Sequence, residues 1–286
     1  VVHALLPHYG THLSLLNTRL AVTFYDLVPL LEWKEARFKL GRLTKLYFEL
    51  AWRAAARANT IITISDQTAQ ELVRFLKVPP GRIKVIGLGV DDKFEHLPTH
   101  REMPALGFFA NFGWKKRPDI AIEAFRKLKE KGLNCQLILA GGKVPAIHEA
   151  HYFDVQALTM GLDNVTIMDH VPESQIVDLY NSFDVYLFPS DTEGFGLPIL
   201  EAQRCGVPVL VREDAKIPPE VTQTAIKCAN TEEMAAQAYR LLTEPSYRRA
   251  IIQAGIKYAA QFTWDRVADQ TMEVYEHMVR SSRKSP

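Results

Sequence analysis

The chain has 286 residues, 47% of them hydrophobic and 23% charged, with a formal net charge of +1. That balance fits a globular protein long enough for one large or two medium domains, and it gives no support for a nucleic-acid partner. No apolar run reaches the roughly 18 residues of a membrane span and no charged-then-apolar leader opens the chain, so a cytoplasmic location is expected.

In chain order, short β-branched runs alternate with longer amphipathic ones, the pattern of parallel sheets covered by helices. The chain opens at Val1 without a methionine, and the first clear strand is LAVTFY (20–25). Residues 34–57 follow as a basic stretch carrying Phe38, Leu43, Leu46, Tyr47, Leu50 and Trp52. Strands are then expected at 60–64 and 82–86. Residues 89–104, GVDDKFEHLPTHREMP, have neither periodicity, carry two prolines and read as a linker between domains. Only about three strands precede it, fewer than the five or six of an ordinary sheet, so the first domain is expected to be incomplete. After it come strands at 105–110, 135–140, 165–169, 184–188 and 207–211. Helices are expected at 117–131, 174–182 and 231–242, and the stretch 232–280 reads as consecutive helices, with Thr263 placed to cap the last.

Cys135, Cys205 and Cys228 are far apart and have no ligand or redox spacing, and the nine histidines are scattered. Buried inert thiols and no metal site are expected.

The most informative stretch is DTEGFGLPILEAQRCG, residues 191–206. The strand before it ends near Pro189, Gly194 and Gly196 break the chain, Pro198 suits a first helical turn and Gly206 its stop. Such a loop lies at the carboxyl end of its strand, where open α/β sheets bind ligands. The amides of Gly196 and Leu197, with the start of the helix, suit an anion such as a phosphate. Glu193 and Glu201 then flank that site and suit sugar hydroxyls. The residues alone leave a second reading open, in which the glycines only shape a turn and both acids are solvated. Lys116, with Lys115 and Arg117 beside it at another helix start, is open in the same way: a solvated basic turn, or a cation awaiting an anion.

PSDTEGFGLPILEAQRCGVPVL resembles the E-x7-E segment of the retaining glycosyltransferases of family 4. NFGWKKRPDIAIEAF (111–125) is similar to that family's lysine loop and helix, LILAGG to its next strand and turn, and residues 161–190 fall in family order. TFYDLVPL, TIITISDQTAQEL and IKVIGLGVDDKF look like the second half of its N-terminal domain. The resemblance implies a GT-B architecture: α/β, with two Rossmann-like domains whose parallel sheets face a cleft. The N-terminal, acceptor-side domain would occupy 1–97, lacking its first strands and the family's glycine-rich loop. The nucleotide-sugar domain would occupy 98–262, and a helix at 263–286 would pack back toward the N-terminal domain.

The resemblance also implies roles. Glu193 contacts donor-sugar hydroxyls; Gly194, Phe195, Gly196 and Leu197 lie along sugar and diphosphate; Glu201 binds the ribose; Lys116 neutralises the diphosphate with help from Lys115; Val171 offers backbone groups to the base. Asn111 stands where many relatives carry an arginine, which leaves the cationic work to Lys116 and its neighbours. Tyr25 and Asp26 stand where many relatives carry a histidine and an acid. Asp26 could orient the acceptor, or the two could simply hydrogen-bond at a strand end. The implied activity is metal-independent, cofactor-free transfer of a hexose, mannose favoured, from a GDP- or UDP-sugar to a glycan or lipid-linked acceptor. A donor-binding subunit of a larger assembly and a nucleotide-sugar epimerase are the alternatives. Residues 34–57 would either pack on their own sheet or touch an anionic membrane from its inner face.

Overall fold

A computed structural model describes residues 1–7, 9, 18–27, 42–99, 101–142 and 152–282. Residues 34–41 of the basic stretch and 28–30 of the YDLVPL segment lie outside them. The chain divides into two units, Val1–Gly89 with Thr263–Pro286, and Val90–Phe262.

The first unit holds a parallel sheet, β1 (Val2–Ala4), β2 (Leu20–Phe24), β3 (Thr60–Thr63) and β4 (Ile83–Val85), side by side in chain order. Every residue of β2 is buried, as befits a parallel strand covered on both faces. One face carries Val22, Phe24 and Ile61 against Trp52, Ala55 and Leu72 from α1 (Arg42–Ala55) and α2 (Asp66–Leu76). The other carries Ala21 and Ile62 against Val274 and Met278 of the last helix, Trp264–Ser282. Ser65 caps α2 by accepting from the Thr68 amide at 3.2 Å. His3 joins β1 to both neighbours, with Nδ1 2.6 Å from the Tyr275 hydroxyl and Nε2 2.8 Å from Thr23 Oγ1. The strand β1 has no signature in the sequence, because three residues are too few to show a period of two.

The second unit contains β5 (Ala105–Phe109), β6 (Gln136–Ala140), β7 (Val165–Met168), β8 (Val185–Phe188), β9 (Val209–Arg212) and β10 (Ile226–Cys228). They pair in parallel in the order β10-β9-β8-β5-β6-β7. Counted from β5, that is the doubly wound order 3-2-1-4-5-6 of a dinucleotide-binding sheet. Its helices are α3 (Pro118–Glu130), α4 (Val155–Leu158), α5 (Ile176–Asn181), α6 (Leu197–Arg204), α7 (Thr231–Thr243) and α8 (Pro245–Ala259). In α3, Ala121, Ile122, Ala124, Phe125 and Leu128 recur on one face and are buried against Leu106, Phe108, Leu137 and Leu139 of the sheet. Gly107 is needed in β5, since a Cβ there would lie 2.2 Å from the Phe183 ring. Trp264–Ser282 is α9 and belongs to the first unit.

Several sequence expectations need correction. The units divide at Gly89 and Val90, not at 97 and 98. Residues 90–99 are not a loose linker but part of the second unit: Val90 donates its amide to Phe262 O at 3.0 Å, and Asn181 accepts from the Leu97 amide at 2.8 Å while donating to Glu95 O at 3.0 Å. A polar side chain on α5 thus replaces the regular hydrogen bonding that aperiodic residues cannot make for themselves. The expected helix 174–182 is a 3₁₀ turn, Glu173–Gln175, followed by α5 from Ile176. The short β10 gave no signal in the sequence. Burial holds the three thiols protonated, pushing Cys135 up to about 11 and Cys205 and Cys228 to about 12. No helix among the described residues is long and apolar enough to cross a membrane.

Candidate functional site

The order of the second sheet reverses between β5 and β8, which pair directly although far apart in sequence. At such a switch point the loops leaving the two strands diverge and open a crevice at their carboxyl ends. The loop after β5 carries Asn111, Lys115 and Lys116; the loop after β8 carries Glu193 to Gly196.

Backbone bonds tie these loops together. Asp191 donates its amide to Lys115 O at 2.8 Å, Lys216 donates to Asp191 O at 2.8 Å, and Glu193 donates to Lys216 O at 3.0 Å. Asn111 Oδ1 accepts from the Gly113 amide at 3.0 Å, which folds the chain into the turn Trp114–Lys116. Lys116 Nζ then lies 2.7 Å from Glu193 Oε1, with the lysine side chain 25% and the glutamate side chain 13% exposed. Two residues from different strands' loops are thereby joined in a partly enclosed ion pair. Lys115 serves through its carbonyl, while its Nζ lies over the Trp114 ring at 5.7 Å. Asn111 shapes a turn rather than presenting charge.

Arg117, named with Lys116 from the sequence, and Arg212, which was not, reinforce the junction. Arg117 has a left-handed backbone, φ 54°, and its guanidinium grips Asp119 at 2.8 Å and reaches Asp191 at 3.5 Å. Arg212, at the end of β9, also pairs with Asp191 and holds Asp214 at 2.6 Å. Asp191 is therefore the node of three chain segments. Its place at the head of the glycine loop was visible in the sequence; Arg212 carried no signal because Asp191 reaches it only once β8 and β9 pair.

Gly196 stands at the start of α6 with φ 107°, where L side chains are rare, and a Cβ there would sit 3.2 Å from Val221. Among the described residues, no backbone acceptor takes the amides of Gly194, Phe195, Gly196 or Leu197. They precede the positive end of a helix, an arrangement suited to an anion. The Phe195 side chain is turned into the core, edge to face with Phe262 at 6.3 Å, so only its backbone is available.

Glu201 follows one turn into α6. Tyr180, fully buried on α5, donates its hydroxyl to Glu201 Oε2 at 2.9 Å. Burial raises the Glu201 pKa above the usual carboxylate value, and the Tyr180 bond and the nearby Lys93 draw it partly back. Val171 follows β7, the edge strand, and its side chain is buried. Tyr25 and Asp26 belong to the first unit, just beyond the carboxyl end of β2, where the Tyr25 carbonyl accepts from Thr68 Oγ1 at 3.3 Å. Among the described residues, no group of three or more His, Cys, Asp or Glu is placed to hold a metal ion.

The family model described as glycosyl transferases group 1 matches residues 90–258, more than half of the chain. The chain belongs to that family. A second model, glycosyltransferase family 4, matches residues 1–94. Among curated relatives, a D-inositol 3-phosphate glycosyltransferase of Saccharomonospora viridis is 26% identical over 251 residues, covering 81% of this chain and 58% of its own. An O-antigen chain mannosyltransferase B of Escherichia coli is 27% identical over 237 residues, covering 77% and 61%. The chain thus spans less than two thirds of the length of these relatives. Among solved structures, Anabaena HepE in complex with UDP-glucose superposes with a TM-score of 0.74 at 16% identity, covering 96% of this chain and 76% of that one. At that identity the likeness concerns the fold, which is GT-B. In this group 1 family member, the segment bearing Lys116, Glu193 and Glu201 lies wholly within the matched 90–258.

Proposed function

We propose that the chain is the donor-binding and catalytic body of a retaining hexosyltransferase, which moves a sugar from a nucleoside-diphosphate donor to a glycan or lipid-linked acceptor. The observation that carries this reading is the Lys116–Glu193 pair, set at the sheet's switch point beside the amides of 194–197. A departing nucleoside diphosphate gathers negative charge as the glycosidic bond breaks. A fixed cation and oriented amides stabilise that charge as it develops, without reorganising. Donor binding exchanges partners: the diphosphate takes the Lys116 ammonium, and the sugar hydroxyls, as donors, take the Glu193 carboxylate. Glu201 accepts from the ribose hydroxyls.

Retention follows from attack on the face the leaving group departs, with a phosphate oxygen taking the acceptor's proton. Asp26 orients the acceptor, and Tyr25 offers a hydroxyl where an imidazole's proton transfer is lacking. Because Lys116 and the amides do the work of charge stabilisation, the reading needs neither metal nor cofactor. Mannose is favoured as the sugar by the likeness to the mannosyltransferase relative, and UDP as its carrier by the UDP-glucose complex of the structural neighbour, with GDP the alternative carrier.

Leu46, Tyr47 and Leu50 of α1, 53%, 52% and 57% exposed, give the basic stretch an apolar face suited to the cytoplasmic surface of an anionic membrane. Co-sedimentation with anionic liposomes at low salt supports that docking, and its absence removes it.

Turnover of the matching donor by Glu193→Ala tests the central assignment. Losing a hydrogen bond between a substrate hydroxyl and a charged group costs about 1.5–3 kcal/mol, a fall in kcat/KM of roughly tenfold to more than a hundredfold. Unchanged kcat/KM would refute the role of Glu193.

A further inference from the structure

We infer that Tyr180 is the positioning residue of the nucleotide-binding carboxylate: its hydroxyl occupies one oxygen of Glu201, fixing the group so that the other oxygen meets the ribose. This rests on the reading of Glu201 as the ribose acceptor. The Tyr180 hydroxyl lies 2.9 Å from Glu201 Oε2, and Oε1 has no hydrogen-bond partner among the described residues. The phenol cannot swing away. Its ring is fully buried and meets Phe94, Phe109, Phe183 and Tyr186 at centroid distances of 5.9, 5.7, 6.3 and 5.7 Å, each close to perpendicular. The neighbouring Tyr186 sends its own proton elsewhere, to Phe109 O at 2.8 Å, and so leaves Glu201 Oε2 to the Tyr180 hydroxyl. A carboxylate on a helix has freely rotating terminal torsions, and a rigid donor on one oxygen restricts them before the ligand arrives.

The same bond governs charge. Glu201 is faced by Tyr180 from α5, by Tyr186 from β8, by Cys205 at the C-cap of its own helix, and by Lys93 and Asp91 from the segment before β5. Burial favours its protonated form, and the Tyr180 hydroxyl favours the carboxylate. A ribose with two hydroxyl donors binds the carboxylate best, so affinity falls as pH drops through the Glu201 pKa. Removing the phenol oxygen raises that pKa and moves the loss to higher pH.

The experiment is calorimetric titration of the full chain with UDP, GDP and ADP and their 2′,3′-dideoxy counterparts, across the acid and neutral range, with inorganic pyrophosphate as a probe of the diphosphate site alone. The wild type should prefer the ribonucleotide of its base. Tyr180→Phe should weaken that ribonucleotide about tenfold, erase most of its preference over the dideoxy form, shift the acid limb upward in pH, and leave pyrophosphate binding unchanged. Replacing Tyr180 by 3-fluorotyrosine, a stronger donor of the same shape, should move the acid limb downward, which keeps the test open if the phenylalanine variant fails to fold. An unchanged preference and acid limb in both variants would overturn the role of Tyr180 while leaving Glu201 in place. A wild type indifferent to the ribose hydroxyls would instead overturn the reading of Glu201 on which it rests.

Discussion

Glu201 sits where folding and ligand binding want opposite things. Burial keeps its folded-state pKa above the ordinary value, so its contribution to stability is fully present below the unfolded pKa and is lost as pH rises through the folded one. Glu201→Gln should therefore raise the melting temperature of the unliganded protein at neutral pH and change it little in acid, while weakening nucleotide binding. Melting curves at two pH values with and without nucleoside diphosphate check both signs. A variant that melts lower at neutral pH would show that the carboxylate is stabilising and the assignment wrong. Glu193, Glu201 and Lys116 could be picked from the sequence because glycines and a helix start surround them. Tyr180 and Arg212 could not: VDLYNSF places the tyrosine among apolar residues on a helix face, and its hydroxyl finds Glu201 only after α5 and α6 pack together.

Two glycines separate what the local elements need from what the site needs. Gly107 lies under the Phe183 ring, which stacks on Tyr186 at 6.0 Å and has no room to retreat. Gly107→Ala should cost about 1–3 kcal/mol or more by overpacking, seen as a lower denaturation midpoint, with nucleotide affinity kept in the folded fraction. Gly196→Ala meets only side chains, Val221 at 3.2 Å, Ile199 at 3.4 Å and Ile217 at 3.5 Å, but must hold φ 107°. Its strain of about 1–3 kcal/mol falls on the loop that presents the amides, so affinity should suffer along with stability. Equal affinity losses in the two variants would contradict this division. At this level the sequence was most legible where elements are long and periodic, as in α3, and least where they are three residues long, as in β1 and β10. The stretch 89–104 reads as a linker because the order at Glu95 and Leu97 comes from Asn181, a partner more than eighty residues away.

Across the chain, the two units reach self-sufficiency by different routes. The second, Val90–Phe262, is continuous and owns a complete doubly wound sheet with its reversal point. The first draws on both ends of the chain, since α9 packs Val274 and Met278 on Ala21 and Ile62 of its sheet. That return was expected from family likeness rather than from any pattern in 263–286. The donor chemistry proposed here belongs to the second unit, in the crevice where β5 and β8 part. The direct test is the structure of the full chain bound to the nucleoside diphosphate that titrates most tightly. Diphosphate oxygens within hydrogen-bond reach of Lys116 Nζ and the amides of 194–197, with the ribose on Glu201, are the predicted result; a nucleotide bound elsewhere, with the Lys116–Glu193 pair still closed, would contradict it.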